Sequence, residues 1–374
     1  MRIFSDPDYV YPGVGHVAML YPFWGVDSEN PQHPAAGRYD EYAQLGDRYF
    51  ELVPLEEADV AVLPMPWEQV LASDEAMLRA KEFIALARSA HKDTIVFYWS
   101  DSAEPVPFSN TIVFRTSLYR SRRSSNEFAM PAWSEDFVTK YLGGELRLRP
   151  KSALPVVGFC GYSAPMQSHL RWGLESALGK VNRILQSPQS IRTSEIPGPI
   201  LRSKAIRLLS RSRLIQSNFS LRKKFLAGAL LSDGSLNFDR YQAARREYVQ
   251  NMVESDYILC IRGGGNFSYR LYETMSTGRI PILVNTDCVL PYDWDIDWKD
   301  YTVWIDVTDI DHLAERVFEH HSNLSRKQFV DLQLRCRQLW EERLSPLGFF
   351  QNLHRHLQGE QNGNPSKGSE RRDG

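Results

Sequence analysis

Residues 257–306 read YILCIRGGGNFSYRLYETMSTGRIPILVNTDCVLPYDWDIDWKDYTVWID, and this stretch decides the fold. An apolar run, Tyr257 to Ile261, has strand character and ends at Arg262 and three glycines, Gly263, Gly264 and Gly265. Helical periodicity from about Phe267 to Thr277 follows, carrying Arg270 and Glu273, and Gly278 stops it. A second apolar strand then runs from Ile280 to Val284. Strand, Gly-rich turn and helix start together form an anion seat, because unpaired amide N–H groups and the positive end of the helix dipole converge there. Two arginines and a carboxylate beside the turn point to a nucleotide diphosphate rather than a lone phosphate.

Outward from this stretch, apolar runs alternate with helical patterns, which places the chain in the α/β class with mainly parallel sheets. In the first half the strand candidates are His16–Leu20, Ala58–Leu63, Thr94–Trp99 and Thr111–Arg115, with a helical pattern over Asp74–Ala90. The text LRLRPKSALP at 146–155 reads as a linker, and Pro155–Cys160 opens a second half. Helical patterns there cover Ser168–Leu185, Arg202–Ile215, Arg240–Glu254, Ile310–His320, Arg326–Arg343 and Leu347–Leu357, the last with the period of a helix packing on a neighbouring domain. The reading is therefore a domain over 1–150, a second over 151–357, and a disordered polar tail over 358–374.

The 374 residues suffice for two domains of about 150–200 residues. A net charge of −2 argues against a general nucleic-acid binder. The start, MRIFSDPDYVYPGV, lacks the basic and apolar regions of a secretory leader, and no run approaches the roughly 18 apolar residues of a membrane span. Cys160, Cys260, Cys288 and Cys336 are far apart and form no CxxC pair, so a reducing cytoplasm is the expected compartment.

The central stretch resembles the exostosin-like glycosyltransferases. The elements that carry the likeness are Arg262-Gly263, Ser268-Tyr269-Arg270, Glu273, Gly278-Arg279-Ile280-Pro281-Ile282, Leu290-Pro291 and Asp297-Trp298, in that order and spacing. Weaker echoes lie upstream in Glu57-Ala-Asp59-Val-Ala-Val-Leu-Pro64, Phe97-Tyr-Trp-Ser100-Asp101, Glu127-Phe-Ala-Met-Pro131 and Val157-Gly-Phe-Cys-Gly161. The resemblance implies the GT-B fold, two Rossmann-like domains facing across a cleft. It also implies inverting transfer from a nucleotide sugar to a glycan or glycolipid acceptor, with no cofactor and no metal. On that footing the N-terminal domain receives the acceptor and the C-terminal domain the donor. The chain is expected to use a UDP-sugar in building a bacterial-type surface polysaccharide or lipopolysaccharide, from the cytoplasm or the inner membrane face. The alternatives are a fucosyltransferase-like enzyme using a GDP-sugar and an inactive relative that only binds a glycan or nucleotide.

A metal-independent transfer needs cations and amides to stabilise the leaving diphosphate. Arg262, Gly263, Gly264, Gly265, Asn266, Ser268 and Arg270 fit that need, arginine binding phosphate through its planar fork. Glu273 is expected at the ribose hydroxyls; the plain alternative is an Arg270–Glu273 helix pair worth about 0.2–0.5 kcal/mol. An inverting transfer also needs a general base on the acceptor side. Asp101 is the first candidate, at the end of the run Thr94–Ser100, with Glu104 second and Asp27 or Glu29 third; for Asp101 a solvated loop or helix-cap role is the bland alternative. Asp293-Trp-Asp295-Ile-Asp297 contains two DxD patterns, which elsewhere hold metals but here fall where a surface loop is expected. Leu201–Lys224 carries eight Lys/Arg and no acid, open to three readings: a peripheral membrane contact, a lipid-phosphate or acidic-acceptor site, or a solvated helix face.

Overall fold

The computed structural model describes residues 1–27, 33–163, 196–231 and 234–357. The helical pattern at Ser168–Leu185, the tail 358–374 and Glu29 lie outside the described residues.

Two parallel sheets form the frame. The first contains β1 (Arg2–Phe4), β2 (Glu51–Leu52), β3 (Val60–Val62), β4 (Thr94–Tyr98), β5 (Thr111–Arg115) and β6 (Glu127–Ala129), in the order β2-β1-β3-β4-β5-β6. The second contains β7 (Val156–Tyr162), β8 (Gln216–Arg222), β9 (Tyr257–Cys260), β10 (Ile280–Asn285) and β11 (Val303–Asp306), in the order β11-β10-β9-β7-β8. All neighbouring strands pair in parallel, and β3, β4, β5, β9 and the first five residues of β10 are buried throughout. Sheets covered by helices on both faces read as continuous Val/Ile runs for this reason. The architecture is α/β, two units each built on a parallel sheet.

His16–Leu20 is not a strand: only Ala18–Leu20 is regular, as a short 3-10 turn, and the sheet is opened instead by Arg2–Phe4. The linker also lies earlier than its composition suggests. Helix α1 (Asp74–Ser89) covers the first sheet, but in α2 (Phe137–Tyr141) Phe137 and Val138, with Leu142, pack into the core of the second unit. The chain thus leaves the first unit between Met130 and Phe137, well before residue 150.

Leu201–Lys224 is not one helix either. It divides into α3 (Gly198–Arg211) and the edge strand β8. The apolar face of α3, through Leu201, Ala205, Ile206 and Leu209, is spent in the core, so it offers nothing to a membrane. No helix among the described residues is long and apolar enough to cross a bilayer.

Helix α4 (Phe238–Val253) precedes β9, and α5 (Tyr269–Ser276) links it to β10. After α6 (Leu313–Asn323) and α7 (Arg326–Leu339), helix α8 (Pro346–Gln351) returns to the first unit. Its Phe349 and Phe350 join a cluster with Ile3, Phe97 and Phe114, and Phe350 stacks on Tyr42 at 4.2 Å. The return strap is held at its root by acidic side chains: Asp293 pairs with Arg123 at 3.0 Å, and Asp295 with Arg343 and Arg355. The DxD residues are therefore occupied in tying the units together, with Asp297 capping the turn at Lys299.

Candidate functional site

The C-terminal ends of β4, β6, β7 and β9 meet at a cleft of about 520 Å³ between the two sheets. Ligands of parallel α/β sheets sit at these strand ends, where helix N-termini also point. Six cationic side chains line it (Arg38, Arg202, Arg222, Lys224, Arg245, Arg270) against three carboxylates, Asp101, Glu135 and Glu273. The excess of cations suits an anionic ligand.

Arg270 is the second residue of α5, and two of its three guanidinium nitrogens are fixed. Nε donates to the Tyr248 hydroxyl at 3.1 Å and Nη2 to the Cys160 carbonyl at 2.8 Å. The guanidinium lies 4.0 Å from the centre of the Phe159 ring. Nη1 is buried and has no hydrogen-bond partner among the described residues. The approach requires Gly161, at φ +153°, since a Cβ there would stand 2.9 Å from Arg270 Nη2.

Arg202, from α3, shares that ring at 5.7 Å and donates to the carbonyls of Tyr162 and Arg262. Burial, and next the neighbouring charge of Arg270, pull its pKa down to about 10. Two guanidinium groups stacked on one phenyl ring repel each other, and a diphosphate between them would remove both penalties. Nothing in the local sequence around Arg202 marked it, because its role depends on α3 crossing the end of β7.

The cleft's second feature is a buried ionic chain. Arg245 on α4 lies between two carboxylates, donating to Glu135 at 2.9 and 3.1 Å and to Glu273 at 2.7 Å. The Tyr248 hydroxyl donates to the other Glu273 oxygen at 2.5 Å. Glu135 and Glu273 are 2% and 5% exposed. Burial alone would raise the Glu135 pKa, but the charge and hydrogen bonds of Arg245, with a backbone hydrogen bond and the Lys140 charge, together outweigh it and hold the carboxyl below its ordinary value. Burial keeps the Tyr248 phenol protonated, so it donates to Glu273 while accepting from Arg270. The expected Arg270–Glu273 helix pair is thus bridged by Tyr248 and is not a direct contact.

Of the residues expected at the donor, Gly263, Gly264, Ser268, Arg270 and Glu273 line the cleft. Ser268 is the N-cap of α5 in extended conformation, and its hydroxyl makes no capping bond. Arg262, Gly265 and Asn266 do not line it, Gly265 being buried against Asp101 and Phe267. Arg262 turns away, Nη2 donating to the Ile196 carbonyl at 2.5 Å. Asn266 is buried as a clamp between the units: its amide donates to Ser117 Oγ, its Nδ2 to the Leu118 carbonyl, and its Oδ1 accepts from Thr286. That amide is consequently used and cannot cradle a phosphate.

The glycines have a reason beyond anion binding. A Cβ on Gly264 would lie 2.4 Å from Asp101 Oδ2, and one on Gly265 would lie 2.8 Å from Asp101 Cα. Asp101, exposed at the end of β4, is packed directly on the glycine turn of the other unit. Beside it the Trp99 indole N–H donates to the Tyr269 hydroxyl, and Arg38 stacks over Tyr39 and Trp99. Glu104 is exposed, outside the cleft, its backbone tied to Ser102. Asp27 pairs with His16 at 3.1 Å, away from the cleft walls.

These features define a two-unit α/β protein with a cation-rich inter-sheet cleft. Residues 220–319 match the family model of the Exostosin GT47 domain, and the resemblance to exostosin-like glycosyltransferases stands on that segment. Exostosin-1 of Drosophila melanogaster is 28% identical over 111 residues, covering 30% of this chain and 14% of that protein. Probable beta-1,4-xylosyltransferase IRX10L of Arabidopsis thaliana is 35% identical over 66 residues, 18% of this chain and 16% of that protein. The match thus spans about a seventh of the length of these relatives. Among solved structures, a glycosyltransferase from Rickettsia africae ESF-5 aligns with 90% of this chain and 84% of its own, at TM-score 0.36 and 12% identity.

Proposed function

We propose that this chain is an inverting glycosyltransferase that moves a sugar from a UDP-sugar to a glycan acceptor of a surface polysaccharide or lipopolysaccharide. The observation that carries the reading is the buried Nη1 of Arg270, unpartnered among the described residues, on a guanidinium anchored through its other two nitrogens in the wall of a cleft rich in cations. Arg270 and Arg202 take the diphosphate, and the turn at Gly264 with Ser268, the N-cap of α5, takes its remaining oxygens. Charge builds on the diphosphate as the glycosidic bond breaks, so pre-placed guanidinium groups favour the transition state over the bound substrate. They do so without a metal. Glu273, fixed by Arg245 and Tyr248, offers its remaining lone pairs to the ribose hydroxyls. Asp101, on the acceptor side of the cleft, accepts the proton of the attacking hydroxyl.

The test is a panel of UDP- and GDP-sugars incubated with the protein, an oligosaccharide mixture and EDTA, reading nucleoside diphosphate release. UDP release from one or more donors, reduced by Arg202→Ala, supports the reading. Release of GDP alone, or of neither nucleotide, contradicts it.

A further inference from the structure

With the apolar face of α3 committed to the core, the surface the basic stretch leaves exposed lies further along the chain. Leu221 at the end of β8 is 54% exposed, Leu230 51% and Leu231 44%. Lys223 and Lys224 are exposed between them in the sequence. Single exposed leucines are ordinary, but three large apolar side chains interleaved with lysines within one short segment are not. The backbone holds them in place: Leu231 N donates to the Ser235 carbonyl at 2.9 Å, and Leu230 bridges Leu236 in antiparallel fashion. The segment lies at the edge of the second sheet, since among the described residues β8 pairs only with β7. It also reaches the cleft, whose wall includes Arg222, Lys224 and Ala227.

Leucines that enter an acyl boundary and lysines that meet phosphate headgroups are what an anionic lipid surface selects. We propose that Leu221, Lys223, Lys224, Leu230 and Leu231 form a face that docks on an anionic phospholipid bilayer, turning the mouth of the cleft toward the membrane. This holds whether or not the cleft transfers a sugar, and its test uses no donor.

The full chain is sedimented with vesicles of phosphatidylcholine alone and of phosphatidylcholine mixed with phosphatidylglycerol, at low and high salt. It binds the mixed vesicles at least roughly tenfold better, and salt weakens that binding. The double variant Leu230→Ser, Leu231→Ser lowers it about tenfold or more, and Leu221→Ser and Lys223→Glu each lower it separately. Thermal unfolding of each variant shows that the fold is kept. Equal sedimentation with both vesicle types, or mixed-vesicle binding unchanged in the folded double variant, overturns the proposal. So does a wild-type dimer in light scattering that the double variant dissociates, since a second copy would then cover this face.

Discussion

The three glycines of the turn at 263–265 differ in what surrounds them, and alanine at each should report that difference. At Gly263 a Cβ meets nothing within 4 Å; at Gly264 it meets the Asp101 carboxylate at 2.4 Å; at Gly265 it meets Asp101 Cα at 2.8 Å. None of the three has positive φ, so alanine brings no backbone strain. Alanine also restricts the unfolded chain, which stabilises by about 0.4–1 kcal/mol where nothing clashes. Gly263→Ala should therefore be neutral or stabilising. At Gly264 the obstacle is the end of a side chain that can rotate, so the change should be near zero. At Gly265 the obstacle includes backbone, overpacking costs about 1–3 kcal/mol, and the net loss should be about 1–2 kcal/mol. The assay is urea unfolding of the three variants without ligand, comparing midpoints at constant slope. Adding Asp101→Ala should relieve any loss at Gly264 fully and at Gly265 only in part. A Gly263→Ala variant as unstable as Gly265→Ala would refute the reasoning, because the Asp101 contact would not be what excludes side chains from the turn.

Other perturbations probe the cleft chemistry. Arg245→Met leaves Glu135 and Glu273 buried without their shared cation and should cost about 3–5 kcal/mol in urea unfolding, more than Glu273→Gln, at about 1–3 kcal/mol. Burial pushes Glu68 up to about 7, where it accepts the Trp99 N–H at 3.0 Å. The folded state then keeps a proton that the unfolded chain releases, so stability falls as pH rises from about 4.5 to about 7 and stays reduced above that. Glu68→Gln should raise unfolding stability near pH 8 by up to ~3 kcal/mol and leave it unchanged near pH 4. Asp101→Asn should lower kcat about 100-fold or more with little change in KM or unfolding midpoint; unchanged kcat removes it as the base.

The strand, turn, helix and strand over 257–285 are legible because their signal is local. Strands β9 and β10 are continuous apolar runs, Gly278 ends the helix between them at φ +63°, and Arg270 and Glu273 are fixed by helical spacing. What was hidden depends on distant segments meeting. Arg202 and Arg245 look like solvated helix residues in the sequence, yet one stacks on Phe159 and the other bridges two buried carboxylates. Strand β8, QSNFSLR, is an edge strand with a mixed polar surface and no apolar alternation, so it merged with the basic helix before it. Strand β1 is only three residues long, too short for periodicity. The position of Asn266 in the turn suggests a phosphate ligand, but the opposing unit's Ser117 and Leu118 claim its amide and side chain.

The central claim is that Arg270 holds the diphosphate of a bound nucleotide. Calorimetric titration of UDP into the wild-type protein and into Arg270→Ala tests it directly. The account predicts saturable UDP binding that the variant weakens by roughly tenfold to a hundredfold, a lost charge-assisted hydrogen bond being worth about 1.5–3 kcal/mol. UDP binding of equal affinity in the folded variant would contradict it.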